Sequence, residues 1–210
     1  MRQPRTPRGS RCTTSADEVS GITGLVLAGG QGRRLGGADK GLALWHGEPL
    51  VQHALRRLRP QVQRLAVSAN RHLPQYRALG VPVWPDDRPG FDGPLAGWAA
   101  GLARCETPWL LSVPCDTPLF PLDIAARLAA AAARSGAPLA IARTPGRLQP
   151  VFCLLSRTLS AVLAQSLAAG ERRVQHWAVQ QGAVEVRFED ETAFRNLNTP
   201  ADWAGRFTSR

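Results

Sequence analysis

Short apolar runs alternate with segments of helical period along nearly the whole chain, and this alternation limits the possible architectures more than any other feature. "ITGLVLA" (22–28), "RLAVSAN" (64–70), "VPVW" (81–84), "PWLLSVPCD" (108–116), "PLAIAR" (138–143), "QPVFCLL" (149–155) and "AVEVRF" (183–188) predict strands. Between them, "PLVQHALRRLRPQ" (49–61) sets Leu50, Val51, Ala54, Leu55 and Leu58 on one helical face. "GPLAGWAAGLARC" (93–105) opens with Pro94 in its first turn, and "PLDIAARLAAAAARSG" (121–136) ends at a glycine. "SRTLSAVLAQSLAAG" (156–170) and "RRVQHWAVQQG" (172–182) predict further helices, and "TPADWAGRF" (199–207) a short terminal one with Thr199 as N-cap.

Strands alternating with helices predict an α/β fold, a Rossmann-like three-layer sandwich with a mostly parallel sheet. Ligands of such folds bind outside the carboxyl ends of the strands. The loops after Ala28, Val113 and Trp84 are therefore expected around one crevice. No repeat or low-complexity linker interrupts 21–210, so that span is expected to be a single domain. Residues 1–20 are rich in Arg, Ser and Thr, lack an apolar signal core, and are expected to be a disordered tail.

The formal net charge is +10. A solvated arginine-rich surface accounts for it, as does attraction to anions such as nucleotides or phosphorylated small molecules. Nucleic acid is disfavoured as a partner, because aromatic residues make up only 6% and the tryptophans are scattered rather than set in a basic stripe. No apolar run approaches the roughly 18 residues of a membrane span. Cys12, Cys105, Cys115 and Cys153 form no metal-binding spacing and read as reduced thiols, which suits a cytoplasmic protein.

The first predicted strand runs into "LAGGQGRRLGGADKGL" (27–42), which contains Lys40, the only lysine of the chain. It is not a Walker A loop, since Gly41 rather than Ser or Thr follows the lysine. Nor is it a dinucleotide fingerprint: Gly30, Gly32 and Gly36 have the wrong spacing, and "LAVSANRH" supplies no acidic residue for a ribose. What remains is a glycine loop whose backbone N–H groups can approach phosphate oxygens, with Arg33, Arg34 and Lys40 supplying positive charge. A lysine is a compact point charge on a flexible stem, suited to a single phosphate oxygen. Asp116, past a buried strand in "VPCDTP", suits Mg²⁺, though an aspartate before Thr-Pro also forms turns.

This loop resembles the "LAGGxxxRxGxxK" signature of a broad nucleotidyltransferase class. With "GGADKGL", "SANRH", "GPLAG", "PCDTP", "AGERRV" and "NLNTP" in order, residues 22–207 resemble the molybdenum cofactor guanylyltransferases. The resemblance implies a Mg²⁺-dependent enzyme of the nucleotide-diphospho-sugar transferase fold type. It would take GTP and molybdenum-molybdopterin and form the guanine dinucleotide cofactor and pyrophosphate. It also implies contacts with other cofactor-biosynthesis proteins and acceptor apoenzymes. Backbone contacts to the nucleotide fall to Leu27, Ala28 and Gly29, charge neutralisation to Lys40, metal binding to Asp116, and a helper role at the phosphates to Arg34. Asp86 aligns with an aspartate of the nucleotide site, with Asp87 as a competitor. Ser68 stands where relatives often carry Asn, and Asn70 lies two residues on. The pterin side falls to Arg172, Arg173, Asn196 and Asn198, the last two being equally able to form a turn or helix cap. The histidines His46, His53, His72 and His176 form no constellation. A cytidylyltransferase, a sugar-phosphate nucleotidyltransferase and a non-catalytic nucleotide carrier stay open as alternatives; retention of Lys40 and Asp116 argues against the carrier.

Overall fold

Ile22–Leu27 (β1) is apolar without alternation because it is covered on both faces. It lies parallel between Arg64–Ser68 (β4) on one side and Trp109–Pro114 (β6) on the other, with Leu27 opposite both Ser68 and Pro114. The computed structural model describes residues 21–30, 39–87 and 93–198. The expected tail 1–20, Arg33 and Arg34, and the helix expected at 199–207 with its Thr199 cap lie outside the described residues.

After β1, the described chain forms a 3-10 turn at Lys40–Leu42 and a hairpin of Leu44–Trp45 (β2) and Glu48–Pro49 (β3). Then come Leu50–Leu58 (α1), β4, Leu73–Arg77 (α2), Val83–Trp84 (β5), Pro94–Arg104 (α3) and β6. Ile124–Ser135 (α4), Leu139–Arg143 (β7), Leu148–Ser156 (β8), Ser160–Ala168 (α5), Val174–Gln180 (α6) and Val184–Arg187 (β9) follow. The seven-stranded sheet has the order β5-β4-β1-β6-β8-β7-β9.

The sheet is parallel except for β8, which runs antiparallel to both β6 and β7. The reason is local. Thr144 and Arg147 bond backbone to backbone in a tight turn between β7 and β8, and only antiparallel neighbours can be joined so briefly. Helices cover both faces. Val51, Leu55, Leu58, Tyr76, Ile124 and Leu128 pack on one, beside the tilted and edge-on rings of Phe120, Phe152, Phe188 and Phe194. Leu95, Trp98, Leu102, Leu163, Leu167 and Trp177 fill the other. This is the three-layer α/β sandwich expected from the sequence.

Some segments depart from the sequence expectation. The helix expected over 156–170 starts at Ser160, because β8 extends through Ser156, whose hydroxyl accepts from Thr158 N–H and opens a 3-10 turn. The hairpin β2–β3 and the short helix α2 carry too few residues for a periodic pattern, and they lie in stretches that gave no sequence signal. Among the described residues, no helix is long and apolar enough to cross a membrane.

Candidate active site

The carboxyl ends of β1, β4, β5 and β6 open on one side of the sheet. Ala28 N–H donates to Ser68 C=O at 2.8 Å, and Cys115 N–H to Leu27 C=O at 3.1 Å, so the chain leaving β1 is locked between both neighbours. Leu27, Ala28 and Gly29 thus form a fixed floor at the mouth of the glycine loop.

Lys40 reaches this floor from the far end of the loop. Its ammonium donates to Asp116 Oδ2 at 2.6 Å and to Asn198 Oδ1 at 2.5 Å. The ion pair is half-buried, with side-chain exposures of 21% for Lys40 and 17% for Asp116. Thr117, fully buried, donates its hydroxyl to Asn196 Oδ1 at 2.8 Å. Leu197 between the two asparagines donates its N–H to Asp116 C=O at 2.8 Å and packs with Trp45 and Leu50. Asn196 and Asn198 are therefore built into the Lys40–Asp116 centre, and the residues joined lie on three distant parts of the chain.

The turn that carries Lys40 is capped by its neighbour. Asp39 caps the 3-10 turn, its Oδ1 accepting from Gly41 N–H at 3.1 Å and from the Tyr76 hydroxyl at 2.5 Å. His72 Nδ1 lies 3.0 Å from Asp39 Oδ2, and the Asp39 side chain is only 6% exposed. A Cβ at position 41 would stand 2.3 Å from Tyr76 Oη, so a larger residue there would have to displace the phenol or the turn. Burial, then the bond to Asp39, pushes the Tyr76 phenol far up, so it stays protonated and donates. Burial, then the Asp116 charge, likewise pushes the Cys115 thiol up and keeps it a neutral packing group.

On the β4–β5 side, Asn70 clamps Asp86. Its Nδ2 donates to Asp86 Oδ2 at 2.7 Å, and its Oδ1 accepts from Asp86 N–H at 2.8 Å. Asp87 instead turns to Arg104, the last residue of α3, at 2.6 Å. Ser68 is 2% exposed. A Cβ on Gly97 would lie 2.9 Å from Ser68 Oγ, so "GPLAG" serves here to seat α3 against the sheet. Because β4 ends at Ser68, Asn70 does not extend its face; the chain turns at His72, which adopts φ 50°.

Arg172 and Arg173 sit on a separate turn. β8 carries the chain to the opposite end of the sheet and α5 brings it back, so this turn rejoins the site's end. Arg172 Nη1 donates to Leu167 C=O at 3.0 Å at the end of α5. The Glu171 carboxylate accepts both the Arg172 and Arg173 N–H groups at 2.8 Å and pairs with His176.

Residues 24–184 match the family described as the MobA-like NTP transferase domain. The chain belongs to this family. A molybdenum cofactor guanylyltransferase from Bordetella petrii is 53% identical over 86% of this chain and 94% of its own length. One from Acidovorax ebreus is 51% identical over 86% of this chain and 92% of its own. The solved molybdopterin-guanine dinucleotide biosynthesis protein A from Archaeoglobus fulgidus shares the fold, with a TM-score of 0.71, 21% identity, and coverage of 86% of this chain and 94% of that one.

Within the family fold, Mg²⁺ fits the donors present. Among the described residues no three His, Cys, Asp or Glu side chains converge into a protein-made cage. Asp116 offers one carboxylate at the end of β6, its Oδ2 bonded to Lys40 and its Oδ1 3.3 Å from the Thr117 hydroxyl. Mg²⁺ commonly takes one or two carboxylates and leaves the rest of its octahedron to phosphate oxygens and water. The residues that the sequence did not reveal are Asp39, His72 and Tyr76. An aspartate just before a lysine and glycine is a cap signal, but nothing local shows that a tyrosine and a histidine come to meet it.

Proposed function

We propose that this protein transfers GMP from GTP to the terminal phosphate of molybdenum-molybdopterin, forming the molybdopterin guanine dinucleotide cofactor and pyrophosphate. The observation that carries the proposal is the convergence of the loop's single lysine, the β6-end Asp116 and Asn198 at one point. An oxygen of the acceptor phosphate forms a bond to the α-phosphorus of GTP, and the bond from that phosphorus to the bridging oxygen of pyrophosphate breaks. The acceptor phosphate is already anionic at neutral pH, so no general base is needed.

Lys40 offsets the negative charge that gathers on the triphosphate as pyrophosphate leaves. The backbone of Leu27, Ala28 and Gly29 borders the nucleotide, with Arg34 as a further positive group on the loop. Asp86, fixed by Asn70, faces the base or ribose, and guanine offers N1–H and N2–H₂ as donors to a carboxylate. Ser68, buried beneath Gly97, supports this wall from behind. Asp116 would hold Mg²⁺, which would supply Lewis-acid polarisation of the phosphates. Asn196 and Asn198 meet the acceptor where it approaches Lys40, and Arg172 and Arg173 bind its phosphate. We assign the activity to the cytoplasm, with cofactor-biosynthesis proteins and acceptor apoenzymes as macromolecular partners.

The test is pyrophosphate release by the purified protein with Mg²⁺, molybdopterin, and GTP or CTP in parallel. Release with GTP that requires the pterin is expected. Release with CTP in preference would move the base assignment. Binding of GTP with no release under either condition would overturn catalysis in favour of a carrier.

A further inference from the structure

The three residues Asn70, Arg71 and His72 follow β4, and each touches a different part of the donor site. Asn70 clamps Asp86 from two sides. Arg71 Nη2 donates to the carbonyl of Gly30, at the head of the glycine loop, at 3.0 Å. His72 reaches Asp39, the cap of Lys40, at 3.0 Å, and Tyr76 one helical turn on reaches the same carboxylate at 2.5 Å. The backbone of Lys40 is thus set by Asp39, and Asp39 is set by the segment that also fixes Asp86. Nothing in this chain of contacts requires a ligand.

We propose that His72 and Tyr76 are positioning residues that act through Asp39 to hold the Lys40 ammonium at the phosphates, and that the 70–72 loop thereby couples the base wall to the phosphate anchor. The inference rests on the proposed nucleotidyl transfer for its consequence, though not for its geometry. A buried carboxylate accepting from a backbone N–H and a phenol holds its turn in one orientation, and a lysine displaced by about 1 Å loses on the order of 10²-fold in function. Removing the phenol hydroxyl loosens this support without removing the lysine, so a smaller loss is expected.

Because Lys40 is the only lysine, protein labelled with ¹⁵N-lysine gives a single Nζ signal that reports on this residue alone. In the absence of nucleotide, Tyr76→Phe is expected to shift and broaden that signal. His72→Asn, which tolerates the positive φ but is too short to reach Asp39, is expected to do the same and serves if Tyr76→Phe fails to fold. With Mg-GTP, calorimetric affinity is expected to fall about 10-fold in Tyr76→Phe, and by less than about 2-fold when the same change is made in a Lys40→Ala background. A purely structural tyrosine would lower the melting temperature, leave the Nζ signal in place and give additive losses, and that result overturns the proposal. If the Nζ signal moves but neither wild type nor variant binds GTP, the positioning stands and the nucleotidyl-transfer assignment falls.

Discussion

The two sides of the proposed catalytic crevice are built differently. On the donor side, hydrogen bonds and ion pairs join distant segments: Lys40 with Asp116 and Asn198, Asp39 with Tyr76 and His72, Asn70 with Asp86; Tyr76 and the Asp39 side chain are buried, while His72 and Asn198 lie at the surface. On the turn between α5 and α6, the Glu171 carboxylate accepts from the Arg172 and Arg173 N–H groups and pairs with His176, and Arg172 reaches Leu167 C=O at the end of α5. The Arg173 side chain is 77% exposed. Long-range contacts fix geometry before any ligand arrives, whereas short-range ones leave an exposed cation to adjust. A triphosphate undergoing displacement needs the first arrangement. Recognition of an anionic acceptor can use the second.

The sharpest way to break this comparison is to attack the donor centre. Lys40→Ala or Asp116→Ala is expected to lower turnover by on the order of 10²-fold or more, read as pyrophosphate release at saturating GTP. Near-full activity in either variant would remove that residue from the mechanism. Next comes Gly41→Ala. Its new Cβ would stand 2.3 Å from Tyr76 Oη, so the phenol or the 3-10 turn must move. We expect a loss of about 1–3 kcal/mol in urea unfolding, the usual cost of overpacking, together with weaker GTP binding. Unchanged stability and affinity would mean that the Asp39–Tyr76 contact is not tight in solution.

Much of this was legible in the sequence, and what was not has a common cause. β1 was readable because both its faces are buried, and the glycine loop because its spacing excludes other phosphate motifs. Lys40 was readable as a candidate because it is the only lysine and ends the glycine loop, and Asp116 because it stands just past a buried strand. Asn196 and Asn198 were placed with the acceptor by resemblance; their bonds to Thr117 and Lys40 depend on the chain returning from β9 to the β2–β3 hairpin, which no local pattern encodes. His72 was passed over because it was sought in a cluster of histidines, and its partner is an aspartate 33 residues away. The antiparallel β8 was hidden for a different reason: a buried strand shows the same apolar run in either direction, and direction is set by the turn at 144–147.

A smaller effect is expected on the other side of the crevice. Arg173→Ala removes a solvent-exposed cation whose nearest carboxylate lies 3.8 Å away. The protein should melt as before, since surface pairs of this kind contribute little. The KM for molybdopterin should rise about 5-fold, as for one lost solvent-exposed hydrogen bond worth about 1 kcal/mol, with the KM for GTP unchanged. A rise in the GTP KM instead would place this arginine with the nucleotide and erase the division between the two sides.

The smallest effect concerns how the α5–α6 turn keeps its shape. The backbone N–H of Arg173, then the His176 ring, hold the Glu171 carboxyl at about 2, below its ordinary 4.5. The folded protein therefore binds fewer protons at this residue than the unfolded chain does between those values. The contribution of Glu171 to stability is fully present above about pH 4.5 and is lost as the pH falls towards 2. Glu171→Gln has no such proton to gain. The difference in urea midpoint between wild type and Glu171→Gln should hold steady from neutral pH to about 5 and then shrink on further acidification. A difference that persists unchanged at the acid end would mean that packing, rather than the carboxylate's charge, organises the turn, and the local polar contacts around Glu171 would not be what shapes it.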